Sequence, residues 1–216
     1  MPCRALLRLA ATLFSLGAAA SHAQIAHPAA DVRLTPDARF AARWVLAVAE
    51  HQSRPFAIVD KREATMYVFD GSGRLAGAAP VLLGQMPGDA ELPGAALRHP
   101  ATLTLAERTT PAGRCASVPG HNDKGEAVVW FDHAAGLAIH RLRPAPPQQQ
   151  RPARLESATP DDNRISLGCI VAPVAFYDSV VAPLLGRQRG VVYVLPETQP
   201  VQALFGAFDV GWAAAH

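Results

Sequence analysis

A cysteine, a histidine and a glycine bend carry the chemistry that this sequence offers most directly. The chain has 216 residues, three of them cysteine and eight histidine. Cys169 stands in the stretch DNRISLGCIVAP, between a polar loop and an apolar run. It can be a nucleophile, half of a disulfide or a small apolar filler. A thiolate is the attacking species, so a catalytic cysteine needs a group that takes its proton. Histidine is the usual partner and need not be near in sequence. Past the first 23 residues the candidates are His27, His51, His99, His121, His133, His140 and His216. His140 closes the short apolar run GLAIH, just before a polar loop. A strand end is a rigid place from which to present a catalytic side chain. His140 is therefore the favoured base, against the alternative of a half-exposed histidine at a strand edge.

Other polar groups need the same weighing. Asn163 and Arg164 precede the cysteine motif, and Arg141 follows His140. Arginine grips carboxylates with two parallel N–H donors, so these residues can hold a substrate carboxylate. The alternative is three solvated loop residues. His121, Asp123, Asp132, His133 and His140 lie close in sequence, but their spacing matches no compact zinc pattern. Cys115 is either a disulfide partner for Cys169 or a buried thiol.

The elements that must position these groups are mostly strands. Thr35-Pro36-Asp37 is a helix start: a capping hydroxyl, a first-turn proline and an acid at the positive dipole end. Phe40, Ala41, Trp44, Val45 and Val48 follow at helical spacing, and Pro55 closes the segment. The texture then changes. Phe56–Val59, Met66–Phe69 and a third run ending at Gly84 read as a β-meander. ATLTL, RCASV, AVVWF and LAIH are further short strands between turn residues. Pro144 to Arg154 is a proline- and glutamine-rich insert, expected as an exposed loop. Pro173 to Leu185 has helical spacing, and Val191–Leu195 is a last buried strand. The tail carries Phe205, Phe208 and Trp212, which can dock on the core. The expected fold is mainly β (α+β), a β-sandwich or barrel core with one helix before it and one after Cys169.

The first residues read as a secretory signal peptide over 1–23. Arg4 and Arg8 give the positive start, Leu9 to Ala20 the apolar run, and Ser21-His22-Ala23 the small residues of a cleavage site. The run is shorter than the ~20 apolar residues of a membrane span. Cys3 lies before it and leaves with the leader. Removal of Arg4 and Arg8 takes the basic count from 20 to 18, equal to the 18 acidic residues. A formally neutral chain gives no basic footprint for nucleic acid. The remainder divides into an N-terminal segment (24–54), a main domain (55–197) and a tail (198–216). No stable membrane span follows the leader. The expected location is the periplasm or cell exterior.

The order LAIH…RISLGCIVAP resembles the signature of the L,D-transpeptidase (YkuD-type) catalytic domain. That signature is Ile-His at a strand end, a loop, then Ser/Thr-His-Gly-Cys. Three further segments agree in order: residues 57–85 with the opening hairpins, TTPAGR (Thr109 to Arg114) with a Thr-Pro-x-Gly-Arg segment, and GVVYVLPE with the closing strand. The resemblance implies a cell-envelope enzyme acting on peptidoglycan stem peptides. It implies Cys169 as nucleophile forming a thioester and His140 as base. Backbone N–H groups around Gly168 and Cys169 would hold the oxyanion, with Ser166 bracing the loop. It implies no metal or organic cofactor. The chain departs from the pattern in three places. Leu167 stands where the family has its second histidine, and Val171 where a polar residue is common. The His140–Cys169 loop also carries the 144–154 insert. These departures keep open a non-catalytic wall-binding or envelope-structural domain on the same fold, with a Cys115–Cys169 disulfide as one variant.

Overall fold

A computed structural model describes residues 33–90, 98 and 102–205. The expected leader (1–23), His27, His99, Phe208, Trp212 and His216 lie outside the described residues. The first element is helix α1, Pro36–Ala47. Thr35 caps it as expected, its hydroxyl accepting from the Ala38 N–H at 3.1 Å. Ala38, Ala41, Ala42 and Val45 form the buried stripe. Phe40 and Trp44 flank that stripe, whereas Val48 is exposed. The helix ends well before Pro55, because Ala49 turns to φ 49°.

Among the described residues ten strands follow in chain order: β1 Phe56–Asp60, β2 Thr65–Phe69, β3 Leu75–Pro80, β4 Leu83–Gly84, β5 Gly113–His121, β6 Ala127–Asp132, β7 Leu137–Arg141, β8 Arg164–Ser166, β9 Ile170–Ala172 and β10 Gly190–Val194. Eight of them form one sheet, in the order β3-β2-β1-β10-β5-β6-β7-β9, and β4 pairs with β8 separately. The β1–β10, β7–β9 and β4–β8 pairs are parallel. The two edges of the large sheet approach each other, for Leu82, just past β3, exchanges two 2.9 Å backbone hydrogen bonds with Val171 of β9. The result is a nearly closed β-barrel, as the many short strands predict.

Period-two alternation explains its interior. On β1, Ala57 and Val59 face one core, and Phe56 and Ile58 face another. On β10, Val192 and Val194 face the first, and Val191 and Tyr193 the second. These central strands are buried on both faces, so their sequence is continuously apolar. The first core lies inside the sheet. The second lies under α1, with Phe205 of the tail 5.0 Å from the Trp44 ring.

Three expectations change. ATLTL forms no strand over its described residues: Leu105–Glu107 is a 3-10 turn. Glu107 accepts from the Thr104 N–H and hydroxyl, each at 2.7 Å, and that cap favours a helical turn over a strand. The proline-rich insert is more ordered than a loop. It holds a 3-10 turn at Pro147–Gln149 and helix α2, Arg151–Glu156. Leu155 of α2 packs with Leu82 and Val171 in a small cluster of its own and fastens the insert. The helix after Cys169 runs as α-turns Val174–Phe176 and Ala182–Leu184 around a π segment, Tyr177–Val181. Pro183 supplies no N–H, so the helical register widens before it.

Candidate active site

The loop Leu167-Gly168-Cys169 is strung between two sheets. Its first end leaves β8, which pairs with β4, and its second end enters β9, which pairs with β7. In the β7–β9 ladder His140 stands opposite Val171 and Ile139 opposite Ile170. The sheet thereby brings residues about thirty positions apart to one place. His140 and Cys169 line one open cleft of about 320 Å³, with Ser166, Leu167 and Arg143 among its walls. The expected pair is therefore brought together.

Local chemistry shapes the loop. Ser166 is 4% exposed. Its hydroxyl donates to the Cys169 carbonyl at 2.6 Å and accepts from the Gly168 N–H at 3.1 Å. Ser166 thus ties the two ends of the loop together. Gly168 has φ +128°, and a Cβ there would lie 2.8 Å from the Thr109 carbonyl oxygen. Only glycine fits that bend without strain. The Gly168 N–H is engaged by Ser166, so in this arrangement it does not point at a substrate oxygen.

Thr110 was not singled out by sequence, though TTPAGR was. It is fully buried. Its hydroxyl donates to the Gly168 carbonyl at 2.9 Å and accepts from the Gly84 N–H at 2.8 Å. Behind it, the Thr110 carbonyl accepts from Lys61 Nζ at 2.9 Å. Lys61 is wholly buried and pairs with Asp89 at 2.9 Å and Glu197 at 3.3 Å. Burial pushes the Asp89 carboxyl up, but hydrogen bonds from Thr198, the Glu197 N–H and Lys61 outweigh it and hold the group at about 2. A buried ionic cluster therefore stands behind the loop.

The electrostatics of the pair are those of two neutral groups. Burial drives the His140 imidazole down to about 4. A hydrogen bond with the Arg141 carbonyl opposes this, and the Arg143 and Arg151 cations reinforce it. The imidazole is neutral at pH 7. Its Nδ1 lies 2.8 Å from the Arg141 carbonyl oxygen. A carbonyl only accepts, so Nδ1 carries the proton and Nε2 is the basic nitrogen. Burial pushes the Cys169 thiol up, with the Ala138 N–H and Arg143 pulling the other way. Its sulfur sits 3.7 Å from the Gly136 carbonyl. Among the described residues no hydrogen bond joins Cys169 to His140. The resting pair is thiol and imidazole, with no thiolate–imidazolium ion pair.

The structure also separates residues grouped by sequence. Arg164 donates to the Lys61 carbonyl at 2.8 Å and pairs with Glu197, away from the cleft. Asn163 is buried and its side-chain amide donates to the Val81 carbonyl at 3.0 Å. Arg141 lies over the Tyr177 ring and 3.3 Å from Asp178. All three hold the frame together. The arginines that reach the cleft are Arg143 and Arg151. Arg151 lies in the insert expected as an exposed loop, and Arg143 immediately precedes it. Cys115 and Cys169 are both thiols, so the disulfide variant does not hold. Cys115 pairs with Val192 across the ladder and packs on the inner core. His121 and His133 sit apart from His140, beside Trp130 in a second hollow.

No family model and no curated protein matches the chain. Its structural neighbours include L,D-transpeptidase catalytic domains. The catalytic domain of an L,D-transpeptidase from E. faecium is similar over 66% of this chain and 98% of that one, at 18% identity and a TM-score of 0.36. An L,D-transpeptidase from Xylanimonas cellulosilytica is similar over 65% of this chain and 60% of that one, at 18% identity and a TM-score of 0.36. The helical cell shape determining protein of Campylobacter jejuni is similar over 68% of this chain and 49% of that one, at 13% identity and a TM-score of 0.41. The chain thus spans less than two thirds of the length of the latter two. Likeness at this level assigns neither a substrate nor a site residue.

Proposed function

We propose that the chain is an exported cysteine enzyme of the L,D-transpeptidase type, acting on peptidoglycan stem peptides. The observation that carries this reading is the shared cleft of His140 and Cys169, with the basic Nε2 of His140 left unblocked by the Nδ1 contact. In the proposed reaction the Cys169 sulfur attacks the carbonyl of an L,D peptide bond as its proton passes to His140 Nε2. The carbon–nitrogen bond breaks, the proton goes to the departing amine of D-alanine, and a thioester remains. An acceptor amine then attacks the thioester, releases the product and restores the thiol. Because both resting groups are neutral, the proton moves together with the attack. The leader-like pattern of 1–23 supports export to the cell envelope, and 55–197 is the proposed catalytic unit. No helix among the described residues is long and apolar enough to cross a membrane.

A second reading is a non-catalytic wall-binding domain. Leu167 favours it, since an apolar side chain, 39% exposed, occupies the cleft wall where a donor would serve the reaction. One experiment separates the two. The leader-free protein is incubated with a carbapenem and its intact mass measured. A single covalent adduct, absent from Cys169→Ala and slowed in His140→Ala, supports the enzyme. A folded protein whose Cys169 forms no adduct supports the binding domain.

A further inference from the structure

Arg143, just before the 144–154 insert, and Arg151, within it, bring two cations to the cleft. Arg143 and Arg151 line both the Cys169 cleft and an adjoining hollow of about 360 Å³ framed by Pro144, Pro146 and Pro152. Their charges lack balance. Arg143 Nε lies 2.9 Å from Glu126 Oε2, but the two are not aligned as a hydrogen bond, and this buried N–H has no partner. Glu126 also accepts from the Asn122 side chain at 2.7 Å. Arg151 donates its Nε to the neutral Gln149 side chain at 2.6 Å. It forms no ion pair among the described residues. His140 contributes no charge at pH 7. Two guanidinium groups therefore face one carboxylate, beside a thiol. Arg151 is partly desolvated, and Arg143 lies near enough to disfavour its charge. Such a pair is stabilised by an incoming anion, and guanidinium matches a carboxylate in shape as well as charge.

We propose that Arg143 and Arg151 form a carboxylate-binding subsite at the Cys169 cleft, which takes a free carboxylate of the peptide substrate. This deepens the reading of Cys169 as a nucleophile toward peptides and rests on it. Stems ending in a free carboxylate are bound in preference to amidated ones. Arg143 and Arg151 then decide specificity through position and charge, while Cys169 and His140 do the bond-breaking. The insert is the carrier of that specificity, held in place by Leu155 at its far end.

Two small alkylating reagents test this on the leader-free chain without any assumed substrate. Iodoacetate and iodoacetamide react with the same sulfur by the same displacement of iodide, and differ in one negative charge. Their rate ratio at Cys169, followed by peptide mapping, is compared with the ratio at a free cysteine peptide. A change in thiol acidity slows both reagents and cancels. The expected ratio is about tenfold above that of the free peptide, a modest focusing effect for a cationic cleft. It falls to within about twofold of the free peptide in Arg143→Gln with Arg151→Gln, and stays high in Arg143→Lys with Arg151→Lys. Arg74→Gln, in the exposed β2–β3 turn, leaves it unchanged. A native ratio no higher than the free peptide's overturns the subsite. So does a ratio that the double Gln variant preserves, or one that the Lys pair loses, since that points to packing. Peptide turnover is a separate readout. No turnover of a carboxylate-ended tetrapeptide with the ratio intact sinks the transpeptidase reading and leaves the anion site. Turnover with a flat ratio sinks the anion site alone.

Discussion

Thr110 donates its hydroxyl to the Gly168 carbonyl at 2.9 Å, across 58 residues of chain. The same hydroxyl accepts from the Gly84 N–H at 2.8 Å, so one oxygen joins β4 to the nucleophile loop. Thr110→Val keeps the shape and removes both bonds. A buried carbonyl and a buried N–H are then left unpaired. The expected loss is about 1–3 kcal/mol of stability, read from the urea midpoint. Carbapenem acylation of Cys169 slows with it. Thr110→Ser restores both quantities; if it does not, the hydroxyl is not the tie.

Gly168→Ala tests the bend. The added Cβ would meet the Thr109 carbonyl oxygen at 2.8 Å and the Leu137 side chain at 2.9 Å, at φ +128°. The strain costs about 1–3 kcal/mol and moves the sulfur away from the cleft. Thermal unfolding falls and adduct formation at Cys169 is lost. A variant with unchanged adduct rate would contradict the assignment of Gly168 as the former of this bend.

The pH dependence follows from the buried histidine. His140 has a folded value of about 4, against an ordinary 6.5. A depressed histidine is protonated more readily in the unfolded chain. Between pH 6.5 and 4 the unfolded state binds the extra proton, so stability falls as pH drops through that window. The full effect is on the order of 3 kcal/mol at ~1.4 kcal/mol per pH unit. His140→Leu flattens the slope of stability against pH there. For the proposed reaction, the acid limb of kcat/KM is expected near 4 instead of near 6.5. A limb near 6.5 would show that the free protein holds an ordinary, solvated imidazole.

Lys61→Met removes the cation behind the loop. Asp89 and Glu197 lose their buried partner, and the Thr110 carbonyl loses a donor. Breaking one side of a buried ionic cluster costs about 3–5 kcal/mol. Chemical denaturation measures the loss. Lys61→Arg, too large for this site, recovers only part of it.

Leu167→His restores a donor beside the sulfur. Leu167 is exposed, so stability changes by no more than about 0.5 kcal/mol. Acylation of Cys169 by a carbapenem rises by about tenfold, below the ~100-fold of a fully aligned donor. An unchanged rate would show that Leu167 does not limit the chemistry.

Much of the fold was legible because it rests on local rules. Thr35 and Pro36 announce α1, and the apolar runs at 56–59, 66–69 and 191–195 announce strands that both cores bury. ATLTL was misread because its apolar pattern suits a strand while Thr104 and Glu107 close a helical cap. The insert is largely exposed, as proline-rich composition suggests, but it carries short helical turns, and Leu155 just past it finds a small cluster made by Leu82 and Val171. That cluster exists only after the sheet curls.

The candidate site divides along the same line. Cys169 and His140 could be picked out from the sequence, because a thiol after a glycine and a histidine at a strand end are local patterns, while Gly168 and Ser166 were implied by the family resemblance. Sequence alone also set the continuous apolar runs that require burial on both faces. The arginines were beyond its reach. Arg164, Arg141, Arg143 and Arg151 are the same residue type in similar polar stretches. Tertiary packing alone consigned Arg164 to Glu197 and Arg141 to Asp178, and placed Arg143 and Arg151 in the wall of the Cys169 cleft. The protonation of the pair was decided there too. Charge state depends on burial and on groups from other strands, and neither quantity is a property of local sequence.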